Sequence, residues 1–348
     1  MGTGKAVSVK SRKEDRMSKP RPTMRDVANL AGVTQPTVSY VINGTANISE
    51  EVKEKVYRAI RELHYEPNYN ARVLKTNKSS MIGIIIPDIS NEYYAKMVNL
   101  VEAELTRQNY TIMISSTNYD EETESSCVRQ MLLYNVDGII VMYQLLNRNC
   151  WKLLQESGRK VAVLEGGNVC RNLPCIDVDD HLGGYIAARH LIMQGRKRIV
   201  YVGQNVKMEA LTARYQGYVD AMKEAGLFQK ALVYETAGPG DKWKEGVAIG
   251  QRLLAQEIDG MIVSSDIVAV GILKVLLQAG KKIPEEIALV GYDDIPLAEL
   301  FVPALTSVAQ PTEEMCAFAV EQMLKSNSGK KEATKRTLTP KLKIRDTA

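Results

Sequence analysis

The sequence predicts an α/β protein in which a small all-helical headpiece precedes a larger two-lobed core. Three observations support this prediction. The chain has 348 residues, enough for two or three domains, and 45% of them are hydrophobic. Apolar runs of strand length alternate with amphipathic helical runs after residue 78. Positive charge is concentrated near the N-terminus, since residues 1–78 carry 15 Lys and Arg against 8 Asp and Glu.

The first predicted helix begins at Thr23 and ends at Gly32. Asp26 follows Thr23 by three residues, a capping-box-like pair whose carboxylate lies near the positive end of the helix. Glycine is well suited to end a helix because it adopts the left-handed conformation without strain. Three residues at helical spacing form the predicted apolar stripe: Val27, Leu30 and Ala31.

A second helix follows directly, and a third one supports it. Thr34 is suited to cap the second helix, Pro36 is tolerated in its first turn, and the Asn-Gly pair at 43–44 ends it. Ser49 is the predicted start of the third helix and Pro67 its end. The predicted buried face of this third helix consists of Val52, Val56, Ile60 and Leu63. Two short helices joined by a tight glycine-containing turn, with a third beside them, form a helix-turn-helix.

The second helix is short and polar, which indicates a surface that contacts something outside the protein. In a helix-turn-helix this helix lies in the DNA major groove, where its N-terminal side chains meet base edges. The residues predicted to face bases are Gln35, Pro36 and Tyr40. Because hydroxyl groups commonly bind phosphates, the predicted phosphate contacts are Thr34, Thr37 and Ser39, and Asn43 completes the DNA-binding set of this helix. The alternative is a polar three-helix module that binds a protein partner.

The stretch "TMRDVANLAGVTQPTVSYVING", followed by "YEPNYNARVLK", resembles the headpiece and hinge of the lactose/galactose-repressor family. The similarity extends through the rest of the chain. The resemblance implies a ligand-responsive transcription regulator, a repressor of carbohydrate-use genes, that binds a palindromic double-stranded DNA operator as a homodimer. Its effector would be a small molecule, a sugar or a sugar derivative. One departure lies at Tyr40, where many members of the family carry an Arg that reads guanine through a two-pronged hydrogen bond.

The resemblance also gives the hinge a role. The segment "YNARVL" is too short to hold a helix alone. In the resembled family it folds on operator DNA and a leucine wedges into the minor groove; Leu74 matches that position, with Ala71 and Arg72 beside it. The alternative is that Leu74 is a linker residue packed on a domain surface. The predicted domains are a basic disordered tail (1–22), the headpiece (23–67), the hinge (68–78) and an effector-binding and dimerisation core (79–348).

Seven strand-like runs indicate a parallel α/β core: "MIGIIIP", "YTIMISS", "VDGIIVM", "KVAVLE", "RIVYVG", "IDGMIVS" and "IALVGYDD". Two of these runs echo each other, the one at Val136 and the one at Ile258, which indicates two related lobes. The resemblance implies that the lobes adopt the type I periplasmic-binding-protein fold and are joined by several crossover strands.

A cleft between the two lobes is the predicted ligand pocket, because ligands of open α/β sheets bind beyond the carboxyl ends of the strands. A charged pair with aromatic side chains suits a polyhydroxylated ligand. The predicted pair is Arg214 with Asp266, both of which match effector-holding positions of the resembled family. Further candidates match less closely: Tyr93, Tyr94, Asp179 and Trp243. The alternative is a salt bridge between the lobes, surrounded by core aromatics.

The sequence indicates neither a cofactor nor a metal site. The first strand–helix turn of the core lacks a G-x-G-x-x-G motif, and Cys170 and Cys175 have no matching pair that would complete a zinc site. Only three histidines and no nucleophile motif argue against an enzyme. No apolar run reaches the roughly 18 residues of a membrane span and no signal peptide is visible, so a cytoplasmic protein is expected. A solute-binding receptor and a sugar-acting enzyme are the rival classes. The effector remains open among a sugar, a sugar phosphate and a purine.

Overall fold

The computed structural model describes residues 22–44, 46–66, 78–168, 172–204, 208–236, 240–325 and 334–348. The chain forms two compact units, residues 1–77 and residues 78–348. Parts of the sequence prediction lie outside the described residues: the tail at 1–21, the helix end at Pro67, and the hinge positions Ala71, Arg72 and Leu74.

The headpiece contains three helices: α1 (Met24–Ala31), α2 (Gln35–Asn43) and α3 (Glu50–Leu63). The caps of α1 and α2 follow the prediction, whereas Ser49 precedes α3 as expected but makes no side-chain hydrogen bond that caps it. Thr23 accepts a hydrogen bond from the Asp26 backbone N–H, and the Asp26 carboxylate accepts one from the Thr23 backbone N–H at 2.8 Å, so the capping box is present. Gly32 ends α1 in the left-handed conformation with φ of 65°, and Thr34 caps α2 by accepting from the Thr37 backbone N–H.

Seven buried residues form the core of the headpiece: Val27, Ala28, Val38, Val41, Val56, Ala59 and Tyr65. The apolar stripe of α1 differs from the prediction at Leu30, which is 47% exposed. The buried stripe runs instead through Ala28 and the half-buried Ala31, because α1 packs against α2 and α3 along that face. The larger side chain of Leu30 therefore lies at the edge of the helix bundle.

The third helix ends earlier than its proline would require. It stops at Leu63, and His64 adopts a left-handed conformation with φ of 48°. This turn directs Tyr65 back into the headpiece core, where it is 7% exposed. A residue in the left-handed conformation is a common helix end, so α3 is ended by local backbone geometry before the proline is reached.

The first lobe of the core contains, in chain order, β1 (Met81–Ile86), α4 (Glu92–Arg107), β2 (Thr111–Ser116), α5 (Glu121–Leu133), β3 (Gly138–Val141), α6 (Arg148–Glu156), β4 (Lys160–Leu164), β5 (Cys175–Val178), α12 (Thr312–Leu324) and β11 (Lys335–Leu338). Its six strands form one parallel sheet in the order β11-β5-β4-β3-β1-β2. The central strands β1, β3 and β4 are almost fully buried, which explains their continuous apolar sequences.

The second lobe contains α7 (Asp180–Met193), β6 (Ile199–Gln204), α8 (Glu209–Glu224), β7 (Val233–Glu235), α9 (Lys242–Leu253), β8 (Gly260–Val263), α10 (Asp266–Gln278), β9 (Ala288–Asp293), α11 (Pro296–Leu300), β10 (Thr306–Ala309) and β12 (Lys341–Lys343). Its sheet has the order β12-β10-β9-β8-β6-β7, and only β12 runs antiparallel to its neighbour. Within the described residues, none of the helices combines the length and the apolarity that crossing a membrane requires.

Three crossovers join the lobes, at residues 178–180, 309–312 and 338–341. This arrangement confirms the predicted two-lobed α/β core.

The similar sequence runs at Val136 and Ile258 also occupy equivalent structural positions in the two lobes. Asp137 accepts hydrogen bonds from the backbone N–H groups just before β1, at 2.7 and 3.0 Å, and Asp259 accepts them from the backbone just before β6, at 2.8 and 2.9 Å. Each aspartate thus fixes the start of the neighbouring strand in its own lobe.

Candidate functional site

The helix α2 presents a polar surface at the edge of the headpiece. Of the predicted DNA contacts in this helix, five are exposed: Thr34, Gln35, Pro36, Tyr40 and Asn43. Thr37 and Ser39 are half-buried, while Val38 and Val41 are buried and attach the helix to the headpiece core. Tyr40 is 46% exposed, so its ring and its hydroxyl are accessible to a partner. The surface therefore has the shape and the polarity of a DNA-reading helix.

Part of this surface stabilises α2 itself. The Thr34 hydroxyl lies 2.8 Å from the Thr37 hydroxyl at the helix start. The Asn43 side-chain amide donates to the Ser39 carbonyl oxygen at 2.7 Å near the helix end. These bonds satisfy backbone and side-chain groups that the short helix would otherwise leave unpaired. Gln35 and Tyr40 carry no such role in the described structure, so their polar groups are available to a partner.

A cavity lies between the two lobes of the core, where the residues that follow the strands of both sheets come together. The first lobe contributes Asn91, Tyr93, Tyr94, Tyr119, Tyr143, Gln144, Leu146 and Glu165 to its wall. The second lobe contributes Met208, Ala210, Leu211, Arg214, Thr236, Lys242, Ser264, Ser265, Val268 and Asp293, and Gln310 belongs to a crossover. Three predicted effector residues, Tyr93, Tyr94 and Arg214, thus line the cavity.

Arg214 is the central charge of the cavity and is only 5% exposed. Its Nε donates to Asp180 Oδ1 at 2.6 Å, and its Nη1 donates to the Ser264 carbonyl oxygen at 2.9 Å. The guanidinium also lies 3.7 Å from the centroid of the Tyr292 ring, a cation–π contact. These three contacts from one lobe fix the orientation of the guanidinium plane.

Glu165 faces Arg214 from the first lobe. Its Oε1 accepts a hydrogen bond from the Tyr93 hydroxyl at 3.0 Å and lies 3.8 Å from Arg214 Nη2. Burial raises the pKa of Glu165 to about 8, although Arg214 lowers it, because the carboxylates of Asp180 and Asp293 add to the effect of burial. The backbone at Glu165 is left-handed, with φ of 56°, which is uncommon for a residue other than glycine and directs the side chain into the cavity.

Asp293 is the third carboxylate close to Arg214, with 3.7 Å between Oδ1 and Nη1. It ends β9 with φ of 109°. Burial raises the pKa of Asp293 to about 6 against the lowering effect of Arg214. Its Oδ1 accepts a hydrogen bond from Gln310 Nε2 at 2.9 Å. The Gln310 Oε1 atom is buried and has no hydrogen-bond partner among the described residues.

The predicted pair of Arg214 with Asp266 is not present in this structure. Asp266 is fully buried behind the cavity wall, where its carboxylate accepts from the Ser307 hydroxyl at 2.7 Å and from the Ile295 backbone N–H at 3.0 Å. Its Oδ1 would lie only 2.1 Å from a Cβ placed at Gly291, so the carboxylate fills the space of the missing side chain. Asp266 follows a strand as predicted, but it holds the second lobe together rather than facing the cleft.

Two other candidates also lie outside the cavity lining. Asp179 caps α7, since its Oδ1 accepts from the Leu182 backbone N–H at 2.9 Å. Trp243 lies in the first turn of α9, 40% exposed, with the Lys244 and Lys274 ammonium groups 5.7 and 5.5 Å from its ring centroids. Asp179 and Trp243 therefore have local roles in this conformation.

Sequence reasoning did not select Glu165, Asp293 or Gln310, which complete the polar part of the cavity. Glu165 ends the run "KVAVLE" and Asp293 lies in "GYDD", so Glu165 directly follows a buried strand and Asp293 is the last residue of another. This is the same pattern that selected Asp266, and it would have identified both carboxylates. Gln310 follows β10, a strand that lacked a strong apolar pattern and was not predicted.

The headpiece and the core match separate family models. Residues 23–68 match the model of bacterial regulatory proteins of the lacI family. Residues 188–348 match the model of a periplasmic-binding-protein-like domain. The helix-turn-helix and the cavity between two lobes thus define a class, transcription regulators in which a DNA-binding headpiece is joined to a ligand-binding core.

Whole-chain comparisons give the family. The transcriptional regulator RegA of Clostridium saccharobutylicum is 34% identical over 307 residues, which cover 87% of this chain and 92% of RegA. The transcriptional repressor PurR of Vibrio vulnificus is 33% identical, covering 93% of this chain and 98% of PurR. A solved structure of the transcriptional regulator CelR in complex with cellobiose is 28% identical with a TM-score of 0.66, covering 94% of this chain and all of that chain. The chain belongs to the lacI family of transcription regulators, which are not enzymes.

Proposed function

We propose that this protein is a ligand-responsive repressor of carbohydrate-use genes that binds a palindromic operator as a homodimer. The observation that carries the proposal is the exposed polar surface of α2, which is attached to the headpiece core by Val38 and Val41. Two headpieces in a symmetric dimer would meet two half-sites, so the operator would share the symmetry of the protein. The similarity to the repressor PurR supports repression rather than activation.

Within α2, the residues proposed to face the bases are Gln35, Pro36 and Tyr40, and the proposed readers of base edges among them are Gln35 and Tyr40. Gln forms paired hydrogen bonds with adenine, whereas Tyr offers one hydroxyl and an aromatic face that can contact a thymine methyl group. The hydroxyls of Thr37 and Ser39 would bind phosphates and set the position of the helix. Because phosphate contacts release counterions, operator affinity should fall steeply with salt concentration.

The proposed effector site is the cavity of Arg214, Glu165 and Asp293, with Tyr93 and Tyr94 in its wall. Charged groups that bind vicinal hydroxyls and aromatic rings that cover an apolar face suit a sugar or a sugar derivative. The similarity to CelR, which is solved with cellobiose, supports this choice. Since both lobes contribute to the wall, an effector would change the distance between the lobes and bias the hinge, where Ala71 and Leu74 are the proposed minor-groove contacts.

The proposal is tested by fluorescence anisotropy on an operator selected from a random-site library, with and without a panel of sugars. Gln35→Ala should lower operator affinity by about tenfold while leaving binding to random DNA nearly unchanged, because base contacts specify and phosphate contacts position. Asn29→Ala, at an exposed amide side chain on α1, is the matched control and should have little effect. Equal losses for the two variants, or a deletion of residues 1–78 that still binds operator normally, would refute the headpiece assignment.

A further inference from the structure

We propose that the cavity selects polyhydroxylated ligands that carry no acidic group, so that free sugars or amino sugars bind and sugar phosphates or sugar acids are excluded. This inference rests on the proposed effector site and names the charge class of its ligand. It also distinguishes free sugars from sugar phosphates and sugar acids as effectors, a distinction that membership of the family alone does not give.

The first argument is the ratio of charges around Arg214. One buried guanidinium has three carboxylates nearby, at 2.6 Å (Asp180), 3.7 Å (Asp293) and 3.8 Å (Glu165). Each of the four side chains is more than nine-tenths buried, so water screens their interactions weakly. The positive charge that an acidic ligand would need is therefore already balanced by the protein.

Lys242 is the second cation among the described residues of the cavity wall, and its charge is also balanced by a nearby carboxylate. The Lys242 Nζ atom lies 3.0 Å from Glu245 Oε2, one turn further along α9, and both side chains are mostly buried. A phosphate or carboxylate on the ligand could accept a hydrogen bond from either cation, but it would add a negative charge beside cations whose charge nearby carboxylates already balance. In a buried site the repulsion between that charge and the carboxylates is weakly screened and therefore unfavourable.

The third argument concerns hydrogen bonding rather than charge. Gln310 is 5% exposed, and its Oε1 has no partner in the described structure, while its Nε2 is engaged by Asp293. A buried acceptor without a donor is costly, and a ligand hydroxyl or amine could supply that donor. A fully ionised phosphate or carboxylate has only acceptor oxygens at its charged end and cannot do so.

The titration of the cavity points in the same direction. The groups that face Glu165 are the Tyr93 hydroxyl on α4, Arg214 on α8, Asp180 at the start of α7 and Asp293 at the end of β9, with the Tyr94 and Tyr119 hydroxyls nearby. Burial, together with the neighbouring carboxylates, raises the pKa of Glu165 to about 8 and that of Asp293 to about 6, although Arg214 lowers both. The cavity therefore disfavours the ionisation of all its own carboxyl groups. For the same reason, we expect it to disfavour a negatively charged ligand.

The test is isothermal titration calorimetry of the full chain at pH 8.5 with matched probes. The neutral and amine-bearing probes are glucose, galactose, ribose, cellobiose and glucosamine. The acidic probes are glucose 6-phosphate, galactose 6-phosphate, ribose 5-phosphate and gluconate. We expect at least one probe of the first group to bind, and its phosphorylated or oxidised counterpart to bind at least about tenfold more weakly, since one unit charge in a partly screened site has at least that effect.

Two charge-removing variants sharpen the test. Asp293→Asn keeps an acceptor for Gln310, and Glu165→Gln keeps an acceptor for Tyr93, so each changes charge with little change in shape. At least one of them should reduce the ratio of neutral to acidic affinity by about tenfold. Glu257→Gln is the matched control, because Glu257 is exposed and lies 3.0 Å from Arg198 in a surface pair.

The outcomes separate the inference from the proposed function. If an acidic probe binds as tightly as its neutral counterpart, or if both variants keep the affinity ratio of the control, the charge inference is overturned while a carbohydrate effector stands. If no probe of either group binds, the carbohydrate proposal is refuted, and the inference with it.

Discussion

Glu165→Gln should remove much of the pH dependence of core stability between pH 5 and pH 8. The Glu165 carboxyl is enclosed by Tyr93, Arg214, Asp180 and Asp293, and its pKa is raised to about 8 from a usual value of 4.5. In this interval the folded core binds a proton that the unfolded chain has already released. Proton binding by the folded state means that the free energy of unfolding falls as pH rises.

The size of the effect follows from the two pKa values. Since the pKa is raised from 4.5 to about 8, the interval from pH 5 to pH 8 corresponds to a loss of at most about 4 kcal/mol, at 1.36 kcal/mol for each pH unit. Structural relaxation and water penetration reduce the effect of burial on real ions, so we expect a loss on the order of 2–4 kcal/mol. Glutamine cannot ionise, so the variant should match the wild type near pH 5 and be more stable than it near pH 8.

Urea unfolding followed by tryptophan fluorescence is a direct assay, because both tryptophans of the chain, Trp151 and Trp243, belong to the core. The headpiece contains neither and does not contribute to the emission. Glu257→Gln, at an exposed side chain, should keep the wild-type slope of unfolding free energy against pH. Parallel slopes for the wild type and Glu165→Gln across pH 5–8 would show that Glu165 is ionised in the folded core and would refute the reasoning.

Three other predictions concern the DNA-binding helix α2, the packing of the second lobe and the hinge. Tyr40→Arg should change the base preferred at its position in a random-site selection, and an unchanged consensus would remove Tyr40 from the readers. Gly217→Ala should lower the free energy of core unfolding by about 1–3 kcal/mol, since a Cβ there would lie 2.0 Å from the His181 carbonyl oxygen between α7 and α8; unchanged urea midpoints would contradict this. Leu74→Ala should weaken operator binding more than binding to random DNA, because an apolar wedge stabilises bent DNA; equal losses on both would exclude the wedge.

The sequence was most informative where a local rule determines the structure. The capping box of Thr23 with Asp26, and the left-handed glycines at 32 and 44, depend on residues within one turn, so they could be predicted directly. All seven predicted apolar runs became strands, and most of them are buried on both faces, which requires continuous apolar residues, whereas β2 lies at a sheet edge and is only partly buried. Other strands at the sheet edges, such as β7 and β12, bury little and carried no such pattern.

The cavity was less predictable, because strand ends are visible in sequence but the direction of the side chain is not. Asp266 and Asp293 both follow or end buried strands of the same lobe, yet the first turns into the protein and the second into the cleft. The difference comes from backbone geometry: Asp293 has φ of 109°, and Glu165 has φ of 56°. Such conformations depend on contacts between distant parts of the chain, which one sequence does not reveal.

The geometry around Arg214 indicates how ligand binding can be coupled to lobe movement. The second lobe holds the guanidinium in place through Asp180, Ser264 and Tyr292, and α7 packs so closely on α8 that a Cβ at Gly184 would lie 1.9 Å from the Arg214 carbonyl oxygen. The contact to Glu165 in the first lobe is 3.8 Å long and is not a hydrogen bond. Arg214 is thus fixed in one lobe and loosely paired with the other. A ligand hydroxyl that accepts from Arg214 and donates to Glu165 would replace this weak contact with two hydrogen bonds that span the lobes, and its binding energy would favour the closed arrangement.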